Sequence, residues 1–72
     1  MVNLKWVNVD SSNLRKVAYD SSNSDLYVEF IKSGVYVYHN VSQEIYTALL
    51  NAESKGKFLI YNVKPYYSFS KK

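Results

Sequence analysis

The chain has 72 residues, contains no cysteine and carries a formal net charge of +3. This length predicts one small domain, because a single hydrophobic core needs about 50 to 200 residues. The absence of cysteine excludes disulfides, thiolate zinc sites and a cysteine nucleophile. No segment has the roughly 20 apolar residues of a membrane span or the pattern of a signal peptide. We therefore expect a cytoplasmic protein that does not enter a membrane.

The first half of the chain predicts a series of short antiparallel strands. Apolar and β-branched residues favour strands at residues 4–9, 14–19 and 25–31. Two Asp-Ser-Ser-Asn segments, at residues 10–13 and 20–23, predict turns, because such side chains bond to their own backbone. The short spacing between these turns favours an up-and-down meander.

The loop after the third strand decides where two central tyrosines point. A three-residue loop, Lys32-Ser33-Gly34, needs a positive φ only at glycine, whereas a two-residue turn would need one at Ser33. The less strained loop pairs Phe30 with Tyr36. Tyr36 and Tyr38 then share the core-side face of the sheet with Phe30.

The opposite face of this sheet is predicted to be unusually apolar. Such a surface is typical of protein contacts. The predicted interface consists of Trp6, Tyr27, Ile31, Val35 and Val37. Because small domains without disulfides or metals often gain stability by association, we also expect a homo-oligomer.

The second half of the chain predicts one helix and a loosely defined end. Ser42 is a good N-cap, and helical spacing of apolar residues favours a helix at residues 42–54 that ends at Gly56. Residues 58–63 fit a last strand or an irregular docking segment, and residues 68–72 fit a flexible basic tail. The predicted fold class is α+β, a small antiparallel β-meander of about four to five strands packed with one α-helix.

The sequence contains few residues or motifs that are typical of an active site. The single histidine, His39, cannot build a multi-histidine metal site and is more typical of a half-exposed structural residue. A serine, a histidine and an aspartate can be picked from almost any sequence, so their presence alone indicates nothing. Neither paired carboxylates nor a glycine-rich phosphate loop is found. We therefore expect a protein that is not an enzyme, with no metal and no cofactor.

A binding function fits the aromatic and basic residues better. Aromatic rings stack on bases, while lysine and arginine contact phosphates. The candidate phosphate-binding residues are Arg15, Lys55, Lys57 and Lys64, and the candidate stacking or hydrogen-bonding residues are Tyr36, Tyr38 and Tyr67. Two structural alternatives stay open. Tyr36 and Tyr38 would pack in the core if they lie on the core-side face, and Lys55-Gly56-Lys57 would be a solvated helix end.

Several short motifs in a fixed order resemble the KTSC domain, a module at the C-terminus of some lysyl-tRNA synthetases. The resemblance covers residues 9–67. The first motifs are Ser11-Ser12, Leu14, Val17, Tyr19-Asp20, Leu26-x-Val28-x-Phe30 and Ser33-Gly34. They continue with Tyr36-x-Tyr38, Val41, Ala52-x-Ser54-x-Gly56-x-Phe58, Val63 and Tyr66 or Tyr67.

The resemblance implies one KTSC-like domain over residues 1–72, a small α+β fold and an RNA-binding role, without catalytic residues to transfer. Similar proteins are synthetase tails or free-standing bacterial and phage proteins, so a phage-encoded chain would act in the host cytoplasm. We expect a non-enzymatic nucleic-acid-binding module, with RNA preferred. One alternative is a phage-type homo-oligomer that sequesters a small nucleotide signal as counter-defence. The other is a protein–protein interaction module.

Overall fold

A computed structural model describes residues 4–72 as a five-stranded antiparallel sheet with two helices packed on one face. The strands lie in chain order across the sheet: β1 (Val7–Asn8), β2 (Leu14–Asp20), β3 (Asp25–Phe30), β4 (Gly34–Tyr38) and β5 (Phe69–Lys71). The helices α1 (Gln43–Asn51) and α2 (Lys55–Asn62) connect β4 to β5. The predicted α+β meander is confirmed, but the prediction of a single helix is wrong.

The β3–β4 hairpin confirms the predicted faces and corrects the predicted register. Gly34 has the expected positive φ of 88°, but it pairs with Phe30 as the first residue of β4. The loop is therefore one residue earlier than expected, and Tyr36 pairs with Val28. Since this register differs by two residues from the prediction, the paired side chains of β3 and β4 keep their predicted faces.

The N-terminal strand is shorter than the predicted residues 4–9, because only Val7 and Asn8 pair with β2. A register shift between Leu14 and Lys16 indicates a β-bulge, which changes the alternation at Arg15. Both predicted turns are confirmed. The hydroxyl of Ser11 accepts bonds from two backbone amides in the first turn, and the carboxylate of Asp20 accepts one from the backbone of the second.

The helix predicted at residues 42–54 ends early, at Asn51, and a second helix begins at Lys55. Ser42 caps α1 as expected, with its hydroxyl accepting the Ile45 amide at 3.3 Å. Ala52 and Ser54 have extended backbone, and Ser54 caps a new helix by accepting the Lys57 amide at 3.4 Å. Residues 58–63, predicted as a strand or an irregular segment, instead form most of α2 and its C-terminal cap.

Gly56 does not end a helix, as the sequence suggested, but lies buried in the first turn of α2. Glycine at this position lets α2 approach the first turn closely, because a Cβ atom there would lie 3.2 Å from the hydroxyl of Ser11. The helix therefore rests directly on the first Asp-Ser-Ser-Asn turn.

The C-terminal residues 68–72 are not the flexible tail that was predicted. Phe69–Lys71 form β5, which pairs with β4 through Tyr38 to Phe69, Val37 to Ser70 and Tyr36 to Lys71. The amide of Lys72 also donates to the carbonyl of Val35 at 2.8 Å. The end of the chain thus forms one edge of the sheet.

The core lies between the helices and one face of the sheet. It contains Leu14, Val17, Leu26, Val28, Tyr38, Val41, Leu49, Leu59 and Val63, each at most 2% exposed. We call this the covered face and the other the open face. Within residues 4–72, no helix is both long enough and apolar enough to cross a membrane.

Candidate nucleic-acid interface

A groove runs along the covered side of the sheet, between α2 and the β3–β4 hairpin. One end lies between residues 10–13 and the start of α2, at residues 53–57. The middle lies between Ile60, Lys64 and residues 30–33 of the hairpin loop. The other end opens over aromatic side chains of β4 and β5, namely Tyr36, Tyr38 and Phe69.

The three parts of the groove form one continuous surface. The first and middle parts share Ser12, Asn13 and Ile60, while the middle and last parts share Phe30, Ser33 and Lys64. Their volumes are about 250, 330 and 280 Å³. Pockets that enclose small ligands span about 300–1,000 Å³, so two parts fall below this range and the middle one lies at its lower end. The groove as a whole therefore suits an extended ligand better.

The aromatic end is built from side chains that alternate onto the covered face. The ring of Phe69 lies 5.5 Å from Tyr36 and 5.7 Å from Tyr38, between the centroids. Phe30 meets Tyr36 edge-to-face at 5.3 Å. Phe69 is 51% exposed, so its free ring surface is available to a ligand.

The two predicted stacking tyrosines of β4 differ in accessibility. Tyr38 is only 2% exposed and belongs to the core, which supports the structural alternative for this residue. Its burial raises the pKa of the Tyr38 phenol above 10.0, and the nearby Tyr36 phenol raises it further. Tyr36 is partly exposed, and the ammonium of Lys71 lies 5.8 Å from its ring centroid. Tyr36 can therefore contact a ligand, whereas Tyr38 supports the platform from below.

Three of the four predicted phosphate-binding residues line the groove. Lys55 and Lys57 lie at the α2 end, and Lys64 lies in the middle, where Lys32 joins them. Asp10 and Glu53 lie at the α2 end as well, so the positive charge is less opposed in the middle. The ammonium of Lys55 donates to the Ala52 carbonyl at 3.2 Å, which leaves Lys57 as the freer cation of that end.

Arg15, the fourth predicted phosphate-binding residue, does not line the groove. It lies in the β-bulge, and its Nε lies 3.7 Å from the Glu29 carboxylate. Lys16 lies 3.6 Å from the same carboxylate and 4.8 Å from the centroid of the Trp6 ring. These cations are thus occupied by a carboxylate on the open face.

Tyr67 also lies outside the groove, because it is partly buried against the core. Its neighbour Tyr66 is 76% exposed and is the tyrosine of this pair that points outward.

The predicted protein-contact surface is largely assembled on the open face. Trp6 and Tyr27 meet edge-to-face at 6.1 Å, and Tyr27 pairs with Val37 beside Val35. Ile31 was wrongly included, because β3 ends at Phe30 and the side chain of Ile31 lines the groove at 45% exposure.

The sequence-based reading missed Phe69 and Lys71 because it assigned both to a mobile tail. The alternation of Phe69-Ser70-Lys71 was the available signal, although three residues are too few to identify a strand. Among residues 4–72, no cluster of three or more histidine, aspartate or glutamate side chains has the arrangement of a metal site.

Comparison with known proteins identifies the fold and the family. The family model of the KTSC domain matches residues 10–67. A protein of Stutzerimonas stutzeri (strain A1501) is 39% identical over 62 residues, which cover 86% of this chain and 87% of that protein. One from Tsukamurella paurometabola is 37% identical over 57 residues, covering 79% and 85% of the two chains. The crystal structure of a KTSC domain protein from Yersinia pestis superposes with a TM-score of 0.94 at 27% identity, covering 97% of this chain and 99% of the other.

Proposed function

The chain belongs to the KTSC domain family, and we propose that it is a nucleic-acid-binding module that holds single-stranded RNA in the groove. The observation that carries this proposal is the position of lysines and an exposed aromatic platform along one continuous surface. Binding in the groove requires no chemical step.

The aromatic end of the groove supports recognition of unpaired bases. Phe69 and Tyr36 offer ring faces, and bases can stack on such rings only when they are not paired within a duplex. Stacking on one base is worth about 1–3 kcal/mol and tolerates any base, because each base has an aromatic face. The proposal therefore predicts weak sequence preference.

The lysines of the groove support contact with the phosphate backbone. None of the three ion pairs found within residues 4–72 includes Lys32, Lys57 or Lys64. A single strand that stacks on Phe69 would pass Lys64 in the middle of the groove and continue toward Lys57. Each phosphate contact releases counterions, so the affinity should fall as the salt concentration rises.

The test is fluorescence anisotropy with a labelled single-stranded RNA of about 12 nucleotides across a range of salt concentrations. Replacing Lys64 with Gln should weaken binding and make the plot of log affinity against log salt shallower by about 0.7, as expected for one lost phosphate contact. The matched control is Lys16→Gln, because Lys16 is paired with Glu29 on the open face and should not affect binding. Equal effects of the two variants, or salt-independent affinity, would reject the groove as the binding site.

A small nucleotide is the alternative ligand of the same lysines and rings. Because the groove is open along its length, a homo-oligomer would be needed to enclose such a ligand. Native mass spectrometry of the purified protein separates the alternatives. One discrete nucleotide mass per oligomer supports sequestration, and a polynucleotide removed by salt supports RNA binding.

A protein-interaction module remains the second candidate function, favoured by the apolar open face. Trp6, Tyr27 and Val35 lie there with part of their surface accessible. The predicted homo-oligomer would use the same surface. Replacing Val35 with Glu should then abolish self-association in sedimentation velocity while leaving RNA affinity unchanged.

A further inference from the structure

The open face carries a hydrogen-bonded chain of three side chains that lie on or next to three different strands. The Nδ1 atom of His39 lies 3.0 Å from Oδ1 of Asp25, and its Nε2 atom lies 3.0 Å from Oγ of Ser70. Asp25 begins β3, His39 follows β4 and Ser70 is the middle residue of β5. The fold thus brings together residues that are 14 and 31 positions apart in sequence.

The order of the three side chains assigns a role to each. An ionised carboxylate only accepts hydrogen bonds, so Asp25 holds the imidazole with its proton on Nδ1. The Nε2 atom of His39 is then free to accept the hydroxyl proton of Ser70. A serine, a base and an acid that orients the base form the arrangement of a nucleophilic triad, which is recognised by geometry and not by sequence order.

Accessibility falls from the serine to the carboxylate. Ser70 lies on an exposed strand, the His39 side chain is 38% exposed and the Asp25 side chain is 20% exposed. A nucleophile at the accessible end and an orienting acid at the shielded end suit attack on a ligand from solvent.

The backbone next to Ser70 offers a hydrogen-bond donor for a developing oxyanion. The amides of Lys72 and His39 donate across the β4–β5 ladder to Val35 and Ser68. Because hydrogen-bonded pairs alternate along an antiparallel ladder, Ser70 bonds to Val37 and the amide of Lys71 points away from β4. β5 is the last strand of the sheet, so this N–H lies at its free edge, directly after the serine.

An apolar floor extends from Ser70 across the open face. Ser70 pairs with Val37, Val37 pairs with Tyr27, and Tyr27 pairs with Ala18. Adjacent strands lie about 4.8 Å apart, so this row of side chains spans about 14 Å from the serine. Trp6 packs against Tyr27 and extends the floor. Val37 and Ala18 are at most 1% exposed, so the accessible part of this floor is Tyr27 and Trp6. The far end of an apolar acyl chain would lie there, about 10 Å from its carbonyl carbon at Ser70.

We propose that Ser70, His39 and Asp25 form an acyl-transfer site that acts on esters with an apolar acyl group. The Ser70 oxygen forms a bond to the acyl carbon, and its proton moves to Nε2 of His39. The bond between the acyl carbon and the alcohol oxygen breaks, and the alcohol leaves with that proton. Water then attacks the acyl-serine, gives its proton to His39 and releases the carboxylic acid, while Ser70 recovers its hydrogen.

This site is separate from the groove, because Ser70 points to the open face while Phe69 and Lys71 point to the covered face. The proposal does not depend on RNA binding. It is opposed to the expectation, drawn from the residue inventory alone, that the protein is not an enzyme, and the labelling test below decides between the two.

The test is covalent labelling of the full chain with a fluorophosphonate, which reacts only with an activated serine. The Ser70 oxygen would displace fluoride from phosphorus, and peptide mass mapping would locate the label. We expect labelling at Ser70, together with hydrolysis of a p-nitrophenyl ester of a medium-length fatty acid. Replacing His39 with Ala should lower the labelling rate by about a hundredfold or more, as expected for loss of a general base.

Two further variants separate chemistry from structure, because the same hydrogen bonds also connect β5 to β3 and β4. His39→Gln can still bond to both neighbours but cannot act as a base, so it should keep the melting temperature and lose the label. Ser68→Ala removes another exposed serine, directly before β5, and should leave labelling unchanged. The absence of label at Ser70, or equal labelling of wild type and His39→Gln, would overturn the proposal.

Discussion

The two faces of the sheet share the same strands but differ in what shields them. On the covered face, Leu26 and Val28 are completely inaccessible beneath the helices. On the open face, Val37 is also only 1% exposed, although it is flanked by Tyr27 and Ser70 within the sheet itself. The comparison teaches that a small side chain can be buried on the face without helices, whereas large ones on the same face, such as Trp6 and Tyr27, keep part of their surface for contacts.

The two faces also differ in whether their charged side chains form ion pairs. On the open face, Glu29 pairs with Arg15 and Lys16. On the covered side, the lysines of the groove have no carboxylate within ion-pair distance among residues 4–72. The groove thus brings together lysines that, in the described part of the chain, no carboxylate pairs, which a count of lysines and arginines would not reveal.

The largest effect on stability should come from weakening the packing of α2, which covers the core on the covered face. Leu59 is fully buried in α2, so Leu59→Ala should cost about 2–5 kcal/mol and unfold much of a domain of this size. The neighbouring Ile60 is 40% exposed, and Ile60→Ala should change the free energy of unfolding far less. Urea titration followed by circular dichroism checks both, and equal losses would show that α2 does not protect the core.

A smaller effect is expected from removing the platform of the groove. Phe69→Ala should lower the affinity for single-stranded RNA by about 1–3 kcal/mol, because a stacked base loses its partner. Tyr66→Ala removes an aromatic ring of greater exposure that does not line the groove and should leave the affinity unchanged. If both variants bind as wild type does, bases do not stack on the covered side.

The cap of α2 should contribute less. Ser54→Ala removes the hydroxyl that accepts the Lys57 amide, at an expected cost of about 0.5–2 kcal/mol in the free energy of unfolding. Ser12→Ala is the control, because this exposed serine lies in the turn below the helix without capping it. A thermal melt that shows no difference between the variants would mean that packing alone positions α2.

The smallest effect is a loss of stability at alkaline pH. Burial raises the pKa of Tyr38 above 10.0, so the folded state holds the phenol proton more tightly than the unfolded state. The resulting stabilisation is complete below pH 10 and is lost as the pH rises through the folded pKa. Tyr38→Phe should therefore show a shallower fall in the free energy of unfolding above pH 10 than wild type. The same slope in both proteins would place the titration elsewhere, for instance at Tyr46, whose pKa is also raised by burial.

The sequence predicted the elements whose signals are local. Alternation identified β2, β3 and β4, and the positive φ of Gly34 followed from the residue type. The register of the hairpin was not determined locally, because Gly34 can either end the loop or begin the strand. Both arrangements put Tyr36 and Tyr38 on the same face, so the faces were correct although the pairs were not.

The elements that were missed depend on distant contacts. The run Phe58-Leu59-Ile60-Tyr61 resembles a strand, and it becomes helical because Ser54 caps it and Gly56 rests on Ser11. Likewise, β5 exists only through pairing with a strand more than 30 residues earlier. The candidate phosphate residues were mostly found from composition, whereas Phe69 and the partners of His39 required the fold.

The two edges of the sheet limit how copies of this protein can associate. β1 has two residues and β5 has three, and the latter presents Lys71 at its end. Short edges with a lysine resist pairing with a strand of another molecule, because few backbone groups are free and the charge must stay hydrated. A continuous intermolecular sheet, the first step of fibrillar aggregation, is thus disfavoured. We expect any self-association to proceed face to face, through the surface that carries Trp6 and Tyr27.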